Sequence, residues 1–222
     1  MRKWMVFFFI CCALNSFGQN GREGFVSLSD QIPSIVLDIR YYTTDNFVGA
    51  RIDGYLRPKA LLTKEAAMAL QNVQRALAKE GLGLKVFDAY RPQKGVNHFI
   101  RWAKQPADTL TKQKYYPEVD KKDVFKLGYV ASRSGHSRGS TLDLTIVELE
   151  TGVELDMGSG WDFFGNISGH GTNQITMEQA ANRQKLKSVM EQYGFKAYSK
   201  EWWHYTLRNE PYPDTYFDFD VE

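Results

Sequence analysis

The chain has 222 residues, 43% of them hydrophobic and 24% charged. That balance fits one domain with a real core and excludes a disordered tail, a collagen-like fibre and a disulfide miniprotein. The net charge is only +2, so no global basic field recommends a nucleic acid partner.

Arg2 and Lys3 precede an apolar run from Trp4 to Leu14, and Asn15, Ser16, Phe17 and Gly18 follow. That order is the order of a secretory signal peptide, and the run is too short to span a bilayer comfortably. The expectation is a signal over residues 1–18, a working domain over 19–222, an exported protein (periplasmic or secreted) and no stable membrane anchor after cleavage. Cys11 and Cys12 both fall inside the signal. The exported chain would then have no thiol for a disulfide, a nucleophile or a metal ligand. The signal also holds two of the 28 basic residues and no acidic one, which leaves 26 of each sign.

Residues 63–80 predict a helix. Ala66, Leu70, Val73 and Leu77 form one buried stripe, Thr63 caps the start and Gly81 the end. Gly81-Leu82-Gly83 lacks the third glycine of a phosphate loop and reads as a helix stop and turn. Strands are predicted at 84–90, 141–147 and 203–207 from their β-branched and aromatic content. A shorter helix is predicted at 96–104. The long polar stretch 105–135, with Pro106 and Pro117, reads as irregular structure near a site. A second long helix is predicted at 177–193, opened by a Thr176/Gln179 capping box and stopped by Gly194. These elements predict an α+β fold, a small mostly antiparallel sheet with packed helices.

The four histidines are His98, His136, His170 and His204. His136 lies in a Gly/Ser-rich loop before the strand that carries Asp143, and Glu201 precedes His204 by three. A zinc hydrolase needs three N/O ligands, an open position for water and a base beside that water. His136, Asp143 and His204 offer the ligands and Glu201 the base. A spacing of three puts Glu201 and His204 on opposite faces of a regular strand, so the hypothesis requires a turn at 201–203. On residue types alone Asp143 also fits a partner of an arginine or of a backbone donor, and Trp202-Trp203-His204 also fits aromatic core. No H-E-x-x-H helix is present. His98, on a predicted helix, and His170, in a loop, read as structural or solvated.

Ser134-Gly135-His136-Ser137-Arg138-Gly139 followed by Asp143 matches S-x-H-x-x-G-x-x-x-D, and Glu201-Trp202-Trp203-His204 matches E-x-x-H. With the blocks at Asp38–Phe47, Asp53–Tyr55, Asp88–Pro92 and Met157–Phe164, the sequence resembles the D-alanyl-D-alanine dipeptidases linked to vancomycin resistance. These belong to the lysostaphin, D-Ala-D-Ala peptidase and hedgehog zinc superfamily. The resemblance runs from about residue 30 to 207. It implies a single zinc-peptidase domain with one Zn²⁺ per chain, held by His136, Asp143 and His204. It implies Glu201 as general base and Arg91 as stabiliser of the oxyanion. It places Asp162 on the ammonium of a small dipeptide substrate, with Ser134 and Tyr55 lining the substrate pocket. Thr141 stands where the motif usually has Ala, a departure beside the ligand strand. A sister D,D-carboxypeptidase or endopeptidase activity and a non-catalytic zinc-stabilised binding domain remain as alternatives.

Overall fold

The computed structural model describes residues 22–222. The expected signal peptide, with Cys11 and Cys12, lies outside the described residues. Among them no helix is long and apolar enough to cross a membrane.

The strands are β1 (Phe25–Ser27), β2 (Val36–Leu37), β3 (Leu61–Thr63), β4 (Leu82–Asp88), β5 (Thr141–Glu148), β6 (Phe195–Ala197) and β7 (His204–Leu207). The helices are α1 (Leu28–Gln31), α2 (Lys64–Ala78), α3 (Gln93–Ala103), α4 (Lys112–Tyr115), α5 (Val124–Leu127) and α6 (Met177–Gln192). β1 and β3 form an antiparallel pair, and the other five strands form one sheet in the order β2-β4-β5-β7-β6. Only the short β2–β4 pair is parallel. The α+β architecture with a small, mostly antiparallel sheet agrees with the sequence reading.

Helix α2 buries Ala66, Leu70, Val73 and Leu77, the predicted stripe. Thr63 Oγ1 accepts from the Ala66 amide at its start, and Gly81 at φ +72° turns the chain beyond its end. The predicted turn at 81–83 is only half right. Leu82 and Gly83 already pair with Glu148 and Val147 across β5, and the Leu84 amide is satisfied by buried Gln74 of α2 at 2.9 Å. β4 ends at Asp88 rather than at Tyr90, because the next amides turn away: Tyr90 N–H donates to Leu61 O and Arg91 N–H to His136 O. The helix expected at 96–104 starts earlier, directly after Pro92, where the fixed proline φ suits a helix entrance. At α6 the predicted capping box forms: Thr176 Oγ1 accepts from Gln179 N–H at 3.2 Å and Gln179 Oε1 from Thr176 N–H at 2.8 Å. Leu186 and Met190 are fully buried under it.

The stretch 105–135 holds only the short α4 and α5 and a 3-10 turn at Lys121–Asp123 between irregular segments, as expected. The C-terminal residues run back over the molecule as a strap. Phe217 N–H donates to Ser137 O, Gln93 N–H to Phe217 O, and Val221 N–H to Gly54 O.

Candidate metal centre and cavity

The site is assembled on one rung of the sheet. In the antiparallel register Asp88 of β4 faces Asp143 of β5, and Asp143 faces His204 of β7. A bulge between Val86 and Asp88 makes this alignment, since regular pairing from Val86–Leu144 would set Phe87 against Asp143. His136 reaches the same place from the tight turn Gly135–Arg138 just before β5. Ser134 opens that turn, its Oγ accepting from His136 N–H at 3.3 Å, and Gly139 closes it at φ +81°. Glu201 comes from the turn the spacing required. Its amide donates to Tyr198 O, its carbonyl accepts from His204 N–H, and β7 begins only at His204.

Three ligand atoms converge. His136 Nε2 is 3.2 Å from His204 Nδ1 and 3.4 Å from Asp143 Oδ1, and His204 Nδ1 is 3.1 Å from Asp143 Oδ1. A tetrahedral zinc with bonds near 2.0–2.1 Å spaces its ligand atoms about 3.3 Å apart. His136 Nδ1 donates to Ala89 O at 2.7 Å, which leaves Nε2 with its lone pair turned toward the other two atoms. His136, Asp143 and His204 all line an adjoining cavity. Asp143 is oriented from behind: its second oxygen, Oδ2, accepts from Trp161 Nε1 at 3.2 Å and lies 3.8 Å from Arg91 Nη2. Burial works against the Asp143 charge, but His136 and His204 outweigh it and hold its pKa well below the carboxylate range. The residues fit a zinc ion.

A cavity of about 230 Å³ adjoins these atoms. Arg91, Ser134, Asp162 and Glu201 line it, with an aromatic wall of Tyr41, Phe47, Phe99, Tyr129 and Tyr198. Gly128–Ser134, the end of the irregular stretch, forms one side. Glu201 Oε2 is 3.6 Å from His204 Nδ1. Burial pushes the Glu201 carboxyl up to about 7, against a downward pull from His204. Asp162 is 7% exposed and accepts from Tyr41 O–H at 2.6 Å. Burial and the neighbouring Asp143 charge raise it well above the usual range. Among the described residues no basic side chain pairs with it at salt-bridge distance.

Tyr55 does not line the cavity. It is 1% exposed, and its hydroxyl donates to Asp88 Oδ1 at 2.6 Å, behind the site. The expectation that it touches substrate is corrected by this contact. Its role is to hold Asp88, whose Oδ2 takes Arg91 Nε at 3.0 Å and Nη2 at 2.9 Å. His98 lies outside the cavity against Asp53, and His170 also lies outside it, in a loop tied to Ser199 O. Thr141 spends its hydroxyl on Thr206 across the strands at 2.9 Å, so the departure from the motif does not reach the cavity. Sequence reasoning missed Asp88, Tyr41 and Trp161 as site residues. All three lie inside blocks that carry the resemblance, Tyr41 in Asp38–Phe47, Asp88 in Asp88–Pro92 and Trp161 in Met157–Phe164, and that membership was their signal.

The sequence profile described as D-ala-D-ala dipeptidase matches residues 22–222. A D-alanyl-D-alanine dipeptidase of Enterococcus faecium is 47% identical over 199 residues, covering 90% of this chain and 98% of the relative. One from Streptomyces coelicolor is 45% identical over 89% of this chain and 98% of its own length, and one from Escherichia coli is 32% identical over 82% and 83%. Among solved structures, a vancomycin-resistance D,D-pentapeptidase in complex with Zn(II) has a TM-score of 0.41 at 14% identity, over 70% of this chain and 77% of that one. With nine-tenths of the chain aligned to such relatives and the profile running to its last residue, this protein belongs to the D-Ala-D-Ala dipeptidase family.

Proposed function

We propose that this chain is an exported zinc-dependent dipeptidase that hydrolyses D-Ala-D-Ala or a similar D-configured dipeptide. One observation carries the reading. Three ligand atoms spaced for zinc lie beside Glu201, and the same cavity holds Asp162, a buried carboxylate with no basic side chain as salt-bridge partner among the described residues. The names of the relatives supply the substrate configuration.

When bound, zinc supplies a water acidified toward neutral pH and a positive charge at the scissile carbonyl. Glu201 takes the proton of the attacking water and later gives it to the leaving amine, as the C–O bond forms and the C–N bond breaks. Its raised pKa suits a group that must both take and return a proton near neutrality. Arg91, pinned by Asp88 and flanked by the Tyr41 and Phe99 rings, presents its guanidinium where the carbonyl oxygen gathers charge. Asp162 pairs with the substrate ammonium, and Ser134 lines the cavity as a donor to the carboxylate.

The test combines zinc analysis with hydrolysis of D-Ala-D-Ala, L-Ala-L-Ala and a stem pentapeptide. About one zinc per chain is expected, lost in His136→Ala, with activity abolished by chelation and restored by zinc. The pentapeptide should be cleaved at least about a hundredfold less efficiently, equivalent to roughly 2.7 kcal/mol of transition-state binding. Comparable kcat/KM for both would promote the D,D-carboxypeptidase reading. Zinc binding with no hydrolysis would promote the non-catalytic binding domain. A mature protein beginning at Gln19 in the exported fraction tests the signal.

A further inference from the structure

Asp162 lies on a long irregular segment between β5 and α6, and one buried arginine gathers the two sides of the loop 157–169 within that segment. Arg183 of α6 is 2% exposed. Its Nε donates to Met157 O at 2.6 Å, Nη1 to Ile167 O at 2.9 Å and Gly169 O at 3.0 Å, and Nη2 to Ser159 Oγ at 3.3 Å. All four acceptors are neutral oxygens at the neck of one loop. Asp156 is the acidic neighbour of Arg183 but does not reach salt-bridge distance. Burying a guanidinium without a directly paired acid is expensive, and an apolar side chain would fill the space at lower cost if packing were the only need. The rigid fork of donors explains the choice, because it holds two chain segments at a fixed separation.

The same neck is tied to the turn that carries Glu201. Trp202 Nε1 donates to Ser159 Oγ at 3.0 Å and Trp202 N–H to Ser168 O at 2.9 Å. Ser168 Oγ in turn donates to Phe163 O at 2.6 Å, one residue beyond Asp162. The Arg183 guanidinium lies 5.9 Å from the centre of the Trp202 ring. Asp162 and Glu201 therefore hang from one knot, and neither Arg183, Ser159 nor Trp202 lines the cavity.

We propose that Arg183, with Ser159 and Trp202, is a positioning device that fixes the spacing between Asp162 and Glu201, and thereby selects substrates whose free amine lies one residue from the scissile bond. The proposal rests on the reading of Asp162 as the partner of the substrate ammonium. A carboxylate and a base set on separate loops measure length only if the loops do not move independently, and a misplacement of about 1 Å in a site costs up to about a hundredfold in rate.

The test compares kcat and KM for D-Ala-D-Ala and N-acetyl-D-Ala-D-Ala in the zinc-loaded full chain, for the wild type, Arg183→Lys, Trp202→Phe and Asp162→Asn. Zinc content and unfolding temperature are measured alongside. Arg183→Lys and Trp202→Phe should keep zinc, raise KM for the free dipeptide more than they lower kcat, and reduce the preference for the free over the acetylated dipeptide by about tenfold or more. A merely stabilising role lowers the unfolding temperature and leaves that preference unchanged, which would overturn the proposal. If Arg183→Lys does not fold, Trp202→Phe decides alone, since it removes one hydrogen bond and keeps an aromatic ring. Asp162→Asn separates the two possible failures. A preference that survives Asp162→Asn sinks the ammonium reading and the knot with it. A preference lost in Asp162→Asn but kept in the other two variants sinks the knot alone.

Discussion

Asp88 serves three groups at once. Tyr55 donates to one of its oxygens and Arg91 to the other, while His136 Nδ1 lies 3.3 Å from that second oxygen. A fully buried carboxylate is tolerated because its lone pairs are occupied and a cation is adjacent. The arrangement couples the residue proposed to meet the oxyanion with His136, one of the three proposed zinc ligands. Asp162 shows a different economy. Its φ of +58° lies in the left-handed region, which Asp and Asn enter more readily than most residues. Asn at 162 therefore keeps the backbone and removes only the charge. Glu201 has fewer ties, with its carboxylate 3.6 Å from His204 Nδ1. If it is the general base, Glu201→Gln should keep zinc and the unfolding temperature but lower kcat by about a hundredfold to ten-thousandfold. Near wild-type kcat in that variant, measured on D-Ala-D-Ala, would make the carboxylate structural.

At the scale of elements, the turn before β5 and the bulge in β4 matter most. The bulge sets Asp88 level with Asp143, so three adjacent strands offer Asp88, Asp143 and His204 on one rung. The turn delivers His136 above that rung and depends on Gly139. The residue sits at φ +81°, and a Cβ there would collide with the Phe25 ring and press on Thr63 Cγ2 at 3.2 Å. The Thr63 amide also donates to Gly139 O at 2.8 Å, so α2's capping residue is fastened to the same turn. Gly139→Ala should destabilise the fold by about 1–3 kcal/mol from backbone strain alone, and should weaken zinc binding because His136 is displaced with the turn. Thermal unfolding and zinc titration check this. Unchanged values in both would show that the turn is not under constraint. The Thr176/Gln179 box and the Gly194 stop at φ +91° fix α6 just as locally. Helix α6 matters for function through Arg183, which local signals do not mark.

Across the whole molecule, the C-terminal strap joins the two segments that flank the site. The Phe217 backbone bridges Ser137, beside His136, and Gln93, beside Arg91, and Tyr90 O–H donates to Phe219 O at 2.9 Å. Phe217 and Phe219 pack edge-on against Phe25, and Arg22 pairs with Glu222 at 2.6 Å. Removing residues 213–222 should lower the unfolding temperature by at least about 5 °C, given the few degrees that each kcal/mol is worth in a domain of this size. It should also reduce zinc affinity, because both turns lose a wall. Full zinc affinity in the truncated chain would confine the strap to stability. By itself the sequence determined what local physics can carry: α2 and α6 with their caps, the three long strands, and the two motifs holding His136, Asp143, Glu201 and His204. The elements depend on neighbours within a few residues, while the motifs take their metal and base roles from the family resemblance, since residue types alone left other readings of Asp143 and His204 open. Only the tertiary structure decided that Tyr55 backs Asp88 instead of lining the cavity, that the short β1, β2, β3 and β6 pair at all, and that Arg183 ties Asp162 to Glu201. Those outcomes depend on a bulge, on buried hydrogen bonds between distant segments and on the folding back of the strap, and no spacing along the chain encodes them.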